Sequence, residues 1–128
     1  MVWVDALKVQ KILLNLLSNA VKYTPSGGKV KMSISELKPP ENGMTRRIVI
    51  EDNGIGMSEE FQKHLYEPFA QEHRKEASGV GGTGLGLSIV QRIVSLLGGT
   101  ISVTSQMNKG SKFVVLLPVQ KASQNELS

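Results

Sequence analysis

Apolar positions recur along this chain with two different periods. Between residues 5 and 22, Val9, Ile12, Leu13, Leu16, Leu17 and Ala20 return every three or four positions, which predicts an amphipathic helix with Asp5 as its N-cap. Thr24-Pro25-Ser26-Gly27-Gly28 ends it. From residue 29 to 37 the period falls to two, with Val30, Met32, Ile34 and then Leu37 turned to a core, so a strand is expected. Lys38-Pro39-Pro40-Glu41-Asn42-Gly43 reads as a loop by composition, and residues 46–51 read as a second strand, antiparallel to the first in a hairpin. Ser58 followed by Glu59-Glu60 predicts the start of a short helix through Tyr66, stopped at Glu67-Pro68-Phe69. A second amphipathic helix is expected over 88–97, ended by Gly98-Gly99. Two more strands, 100–105 and 111–117, are joined by a turn at Asn108-Lys109-Gly110 and closed by Pro118. Residues 70–83 have no apolar period, many charges and three glycines. A stretch of that length inside a compact domain predicts a lid or binding loop. The polar tail 119–128 is expected to fray.

Composition narrows the classes. At 128 residues with 40% apolar content, the chain is expected to form one domain, residues 1–118, with its own core. It has no cysteine, so disulfides, thiolate metal sites and cysteine nucleophiles are excluded. No apolar run has the length of a membrane span, and the first residues do not form a signal peptide. The net charge of +4 suits an anionic ligand, but the basic residues are scattered and aromatics make up only 5% of the chain, against a nucleic-acid surface.

Three stretches carry candidate chemistry. Glu51-Asp52-Asn53-Gly54-Ile55-Gly56-Met57 follows directly on Ile48-Val49-Ile50. A strand ending in Asp before Gly-x-Gly fixes a carboxylate at a sheet edge beside backbone that a flat purine could approach; the same residues also make an ordinary turn. The polar stripe of the first helix reads Lys8, Lys11, Asn15, Asn19, Lys22. Two asparagines one turn apart are weak helix formers, and their amide oxygens suit Mg²⁺ that keeps most of its water and phosphate ligands, with Lys22 available to a phosphate; a solvated face is the alternative. Gly82-Thr83-Gly84-Leu85-Gly86-Leu87 leads straight into the helix at 88–97, where unpaired amides and the helix dipole favour a polyphosphate; a flexible linker is the other reading. It is neither a Walker loop nor a dinucleotide fingerprint.

Together, Asn15-Leu16-Leu17-Ser18-Asn19-Ala20-Val21-Lys22-Tyr23-Thr24-Pro25, Asp52-Asn53-Gly54-Ile55-Gly56, Glu67-Pro68-Phe69 and Gly82-Thr83-Gly84-Leu85-Gly86-Leu87 resemble the four boxes of the sensor histidine kinases, in the same order. The resemblance covers residues 5–118. It implies an α/β fold, the two-layer α/β sandwich (Bergerat type) of the GHKL ATP-binding superfamily, with a mixed sheet covered on one face by helices. It also implies ATP and Mg²⁺: Asn15 and Asn19 serving metal and phosphate, Lys22 phosphate, Tyr23 the nucleotide, and Asp52 the adenine amine. Gly54, Ile55 and Gly56 would line the base pocket, Phe69 would anchor the lid, and Gly82, Thr83, Gly84, Leu85, Gly86 and Leu87 would wrap the phosphates. Gln71 stands where many members carry arginine.

The same resemblance implies transfer of the γ-phosphoryl of ATP to a histidine on a dimerisation domain of the same parent, then to a response regulator, in the cytoplasm. That acceptor segment is absent from this sequence, as is a strand before the first helix, and neither His64 nor His73 lies where it could replace the acceptor. A hydrolase of the same superfamily, similar to gyrase or the heat-shock chaperones, would need a glutamate as general base one turn before Asn19. Asn15 occupies that position and cannot accept a proton. A degenerate binding module is the remaining alternative, and the intact glycines together with Asp52 argue against it.

Overall fold

The computed structural model describes residues 2–68 and 86–118, with side chains from Ala6 onward. The first helix, α1 (Val2–Lys22), begins earlier than the sequence predicts. Asp5 therefore lies inside its first turns and is not its cap. Ile12, Leu16 and Ala20 are 0–3% exposed, and Val9, Leu13 and Leu17 pack against them. Full burial of each large aliphatic side chain stabilises by about 1.5–3 kcal/mol, and this single face holds α1 on the domain.

Strands β1 (Val30–Glu41) and β2 (Met44–Asp52) form the expected hairpin, but β1 continues through the segment predicted to be a loop. Asn42 and Gly43 both have positive φ, 51° and 82°, so a two-residue turn closes the hairpin and Glu41 pairs with Met44. Pairing is irregular only between Glu36 and Glu41, where Pro39 and Pro40 have no N–H to give; an outer strand tolerates that. Helix α2 (Glu59–Lys63) is shorter than predicted. Ser58 Oγ accepts from Phe61 N at 3.1 Å as its N-cap, and from His64 the chain turns in tight i to i−3 steps that bury Leu65.

Helix α3 (Gly86–Leu96) starts two residues before the predicted start and ends as expected. Gly98, at φ 78°, donates to Ser95 O, and Gly99 donates to Val94 O. Strands β3 (Thr100–Gln106) and β4 (Gly110–Leu117) complete a sheet of order β1-β2-β4-β3.

All three pairings among the described residues are antiparallel, where a mixed sheet was expected. The connection through α2 and α3 does return the chain so that β2 and β3 run the same way, but it skips one place. The hairpin return β4 fills that place and separates them. Both helices cover one sheet face: α1 lies over β1 and β2, α3 over β3, and each packs on the other. Between the layers lie Ile48 and Ile50 of β2, Phe113, Val115 and Leu117 of β4, and Leu87, Val90 and Val94 of α3. Met32 and Ile34, expected in the core, stay 45% and 46% exposed because β1 is the outermost strand. No helix among the described residues is long and apolar enough to cross a membrane.

One core position is imperfect. The Tyr66 hydroxyl is buried without a hydrogen-bond partner among the described residues, and burial pushes its pKa up. Removing a buried, unsatisfied hydroxyl relieves its desolvation cost. Tyr66→Phe is therefore expected to stabilise the fold by up to about 1 kcal/mol, seen as a rise of a few degrees in Tm; a fall in Tm would show that the hydroxyl is bonded.

Candidate functional site

The end of β2, the turn after α1 and the hairpin between β3 and β4 converge on residues 52–57. Asp52 is the one charged side chain buried among the described residues, 8% exposed. Its Oδ1 accepts from Gly54 N at 2.9 Å, and the backbone N–H of Ser111, its partner across β4, also donates to the carboxylate. Desolvation nevertheless dominates and raises its pKa, with Glu51 adding to the rise and the two amides opposing it. A carboxylate has about four acceptor positions, so two amides leave capacity for a further donor.

Asn53 faces away from this centre. It is tied to the end of the preceding turn: Lys29 N donates to Asn53 Oδ1 at 2.7 Å, and Asn53 N donates to Lys29 O at 3.2 Å.

The glycines answer to the protein's own backbone as well as to any ligand. A Cβ on Gly54 would lie 2.0 Å from Tyr23 O, beside the bond that Ile55 N donates to that same carbonyl. Gly56, at φ 66°, sits where a Cβ would lie 2.0 Å from Gln106 O, and Asn108 N donates to Ile55 O at 2.7 Å. Tyr23 thus joins the site through its backbone. Met57, which closes the loop, is buried, its N–H held by Ser105 Oγ and its carbonyl by Gln62 Nε2.

The polar stripe of α1 meets the start of α3. Asn15 Nδ2 donates to Lys11 O at 2.8 Å, which leaves the amide oxygen directed toward Gly86, 3.4 Å from where a Cβ would stand. Asn19 is half-buried one turn further on, and Lys22 is exposed at the helix end. Gly86 opens α3, so the amides of the first turn lie beside this stripe. Leu87 is buried and packs in the core between the layers. Phe69, Gly82, Thr83, Gly84 and Leu85, the lid expected at 70–83 and the tail at 119–128 lie outside the described residues.

Ser111, Ser105 and Gln62 escaped the sequence reading. Serines in strands and a glutamine in a short helix are commonplace. Only the register, which sets Ser111 opposite Asp52 and Ser105 opposite Ser111, singles out the serines, and Gln62 emerges only through its bond to Met57 O.

This sandwich, with a buried aspartate at a strand end and an asparagine-bearing helix facing a glycine-led helix start, defines a class. The chain belongs to the histidine kinase-, DNA gyrase B- and HSP90-like ATPase family, which matches residues 4–121. Its relatives within that family are sensor histidine kinases. Hybrid signal transduction histidine kinase A of Dictyostelium discoideum is 41% identical over 120 residues, covering 89% of this chain and 6% of that protein. The mycobacterial sensor histidine kinase MprB superposes with a TM-score of 0.72 at 27% identity, over 86% of this chain and 71% of that one. Full-length ShkA, solved in complex with AMPPNP, superposes with a TM-score of 0.69 at 31% identity, over 87% of this chain and 21% of that one. The fold is that of a histidine kinase catalytic domain, and the family is one of nucleotide-binding ATPases. The chain spans between 6% and 14% of the length of the curated relatives it matches.

Proposed function

We propose that this domain binds ATP with Mg²⁺ and transfers the γ-phosphoryl group to a histidine on a dimerisation domain of its parent protein, in cytoplasmic two-component signalling that ends on a response regulator. The observation that carries the reading is Asp52: a carboxylate buried at a strand end, oriented by two backbone amides and left with acceptor capacity. An acceptor so placed suits the exocyclic amine of adenine and disfavours the carbonyl of guanine. ShkA, whose structure holds AMPPNP, supports the nucleotide class.

The donor set suits Mg²⁺. Among the described residues no cluster of three carboxylate, imidazole or thiolate groups could hold a metal, whereas the amide oxygens of Asn15 and Asn19 lie on one helix face. Such a set supports a cation held mainly by phosphate oxygens and water. The ion when bound neutralises phosphate charge. Asn15 and Asn19 would orient it, Lys22 would meet a phosphate, and the α3 start would receive phosphate oxygens through backbone N–H groups. Phosphoryl transfer depends mostly on such positioning and charge neutralisation. The glycine-rich stretch at 70–83, with Phe69 before it, we assign from the sequence to a lid closing over the nucleotide.

The test is labelling from γ-labelled ATP. The chain alone is expected to remain unlabelled, and a separately supplied dimerisation domain from the same parent is expected to acquire label on histidine. Rapid ATP turnover by the isolated chain, abolished by Asn19→Ala, would instead make it a hydrolase. Asn15 argues against that outcome, since an amide cannot activate water as a general base.

A further inference from the structure

The turn from Tyr23 to Lys29 carries the chain from α1 to β1, and residues 53–55 are sewn to both of its ends. At the near end, Ile55 N donates to Tyr23 O at 3.0 Å. At the far end, Asn53 takes both backbone groups of Lys29: its Oδ1 accepts from Lys29 N at 2.7 Å, and its own N–H donates to Lys29 O at 3.2 Å. The first of these two bonds depends on the side chain. Within the turn, Thr24 Oγ1 donates to Ala20 O at 2.7 Å, and its methyl group fills the space that a Cβ on Gly28 would need. Gly28 N donates back to Pro25 O at 2.9 Å. Contacts therefore run without a break from the last turn of α1, which carries Asn19 and Lys22, through Thr24 and Gly28 to Asn53, the neighbour of Asp52.

We propose that Asn53 is a positioning residue that sets the spacing between the two ends of the nucleotide site, Asp52 at the base end and Asn19 with Lys22 at the phosphate end. Its own amide is turned to the Lys29 backbone and acts only through the turn. The inference rests on the reading that these two ends receive base and phosphates. A ligand that bridges two subsites gains when both are held in one geometry before it arrives, whereas a ligand that fills one subsite is indifferent to their spacing. Without the Asn53 amide, Lys29 N–H loses its acceptor and the far end of the turn is held by one bond fewer. Asp52 keeps the amides of Gly54 and Ser111, so the base end itself stays formed.

The test compares Mg²⁺-ATP, which spans both ends, with adenosine, which fills the base end alone, by chemical-shift titration of the whole chain. The wild type is expected to bind both. Asn53→Ala is expected to raise the Kd of Mg²⁺-ATP about fivefold, the worth of one hydrogen bond, and to leave that of adenosine unchanged. If Asn53→Ala does not fold, Asn53→Gln, which keeps the amide but moves its oxygen by one methylene, is expected to show the same split. Equal losses for both ligands would overturn the proposal and leave Asn53 a structural residue, and so would the absence of any loss. A wild type that binds Mg²⁺-ATP but not adenosine would overturn it as well, since the two ends would then not act apart. A wild type that binds neither ligand would overturn the nucleotide reading itself, and this proposal with it.

Discussion

Exchanging Asp52 for asparagine is expected to raise the Kd for adenine nucleotides by about 5- to 150-fold, equivalent to about 1–3 kcal/mol, while leaving the unliganded protein as stable as before or more so. The two effects have opposite signs because the carboxylate is held for a ligand. Burial pushes its pKa up, ahead of the opposing amides of Gly54 and Ser111. A carboxyl group whose folded pKa lies above its unfolded one contributes stability below the unfolded value and loses it as pH rises through the folded value. At neutral pH the ionised Asp52 is therefore a cost to the empty protein, and asparagine removes it. Binding follows the reverse course: the negative charge strengthens the bond from the purine amine, so affinity should decline as pH falls through the raised pKa. Titration calorimetry across that range, with thermal melts of both forms without ligand, measures both effects. Unchanged affinity would remove Asp52 from the site. A less stable empty variant would show that the two amides outweigh the desolvation.

Gly56→Ala is expected to lower stability by about 3 kcal/mol, with a fall in Tm of order 10 °C. Two costs combine there. The residue has φ 66°, which costs an alanine about 1–2 kcal/mol. Its Cβ would also stand 2.0 Å from Gln106 O and 2.7 Å from the carbon of that carbonyl, so backbone must move. Moving it pulls on the Asn108 to Ile55 bond that fastens the hairpin to the loop. Gly43 separates the two costs, since it has φ 82° but open space around a Cβ. Gly43→Ala should show the backbone penalty alone, about 1–2 kcal/mol. Chemical denaturation of both variants measures the difference, and equal losses would mean that the loop yields without resistance.

What the sequence revealed follows from how local each signal is. Helices α1 and α3 and the four strands are written in periods of three to four and of two, so their existence was legible. The extension of β1 was not, because Pro39 and Pro40 read as loop and only the Asn42-Gly43 turn, once closed, carries the pairing past them. The sheet's antiparallel order was hidden too, since no residue in β4 announces that it inserts between β2 and β3. Asp52 stood out as an acid at the end of an apolar run. Ser111 and Ser105 acquire meaning only from register, which sets Ser111 beside Asp52 from far along the chain and Ser105 beside Ser111 across the β3–β4 hairpin. The burial of Leu87 in the core was equally invisible, since a leucine inside a glycine-rich stretch carries no sign of which way its side chain packs.

The close approach of Gly54 to Tyr23 O and of Gly56 to Gln106 O changes how this motif should be weighed in genomes. A descendant that stopped using nucleotide would still need both glycines to fold, so purifying selection would keep them long after the activity had drifted away. The aspartate has no such protection. Its replacement is predicted to be neutral or favourable for the empty fold, and it would be among the first positions to decay. Counting glycines would therefore retain inactive descendants among the kinases, and the residue at position 52 is the better marker of a site still in use.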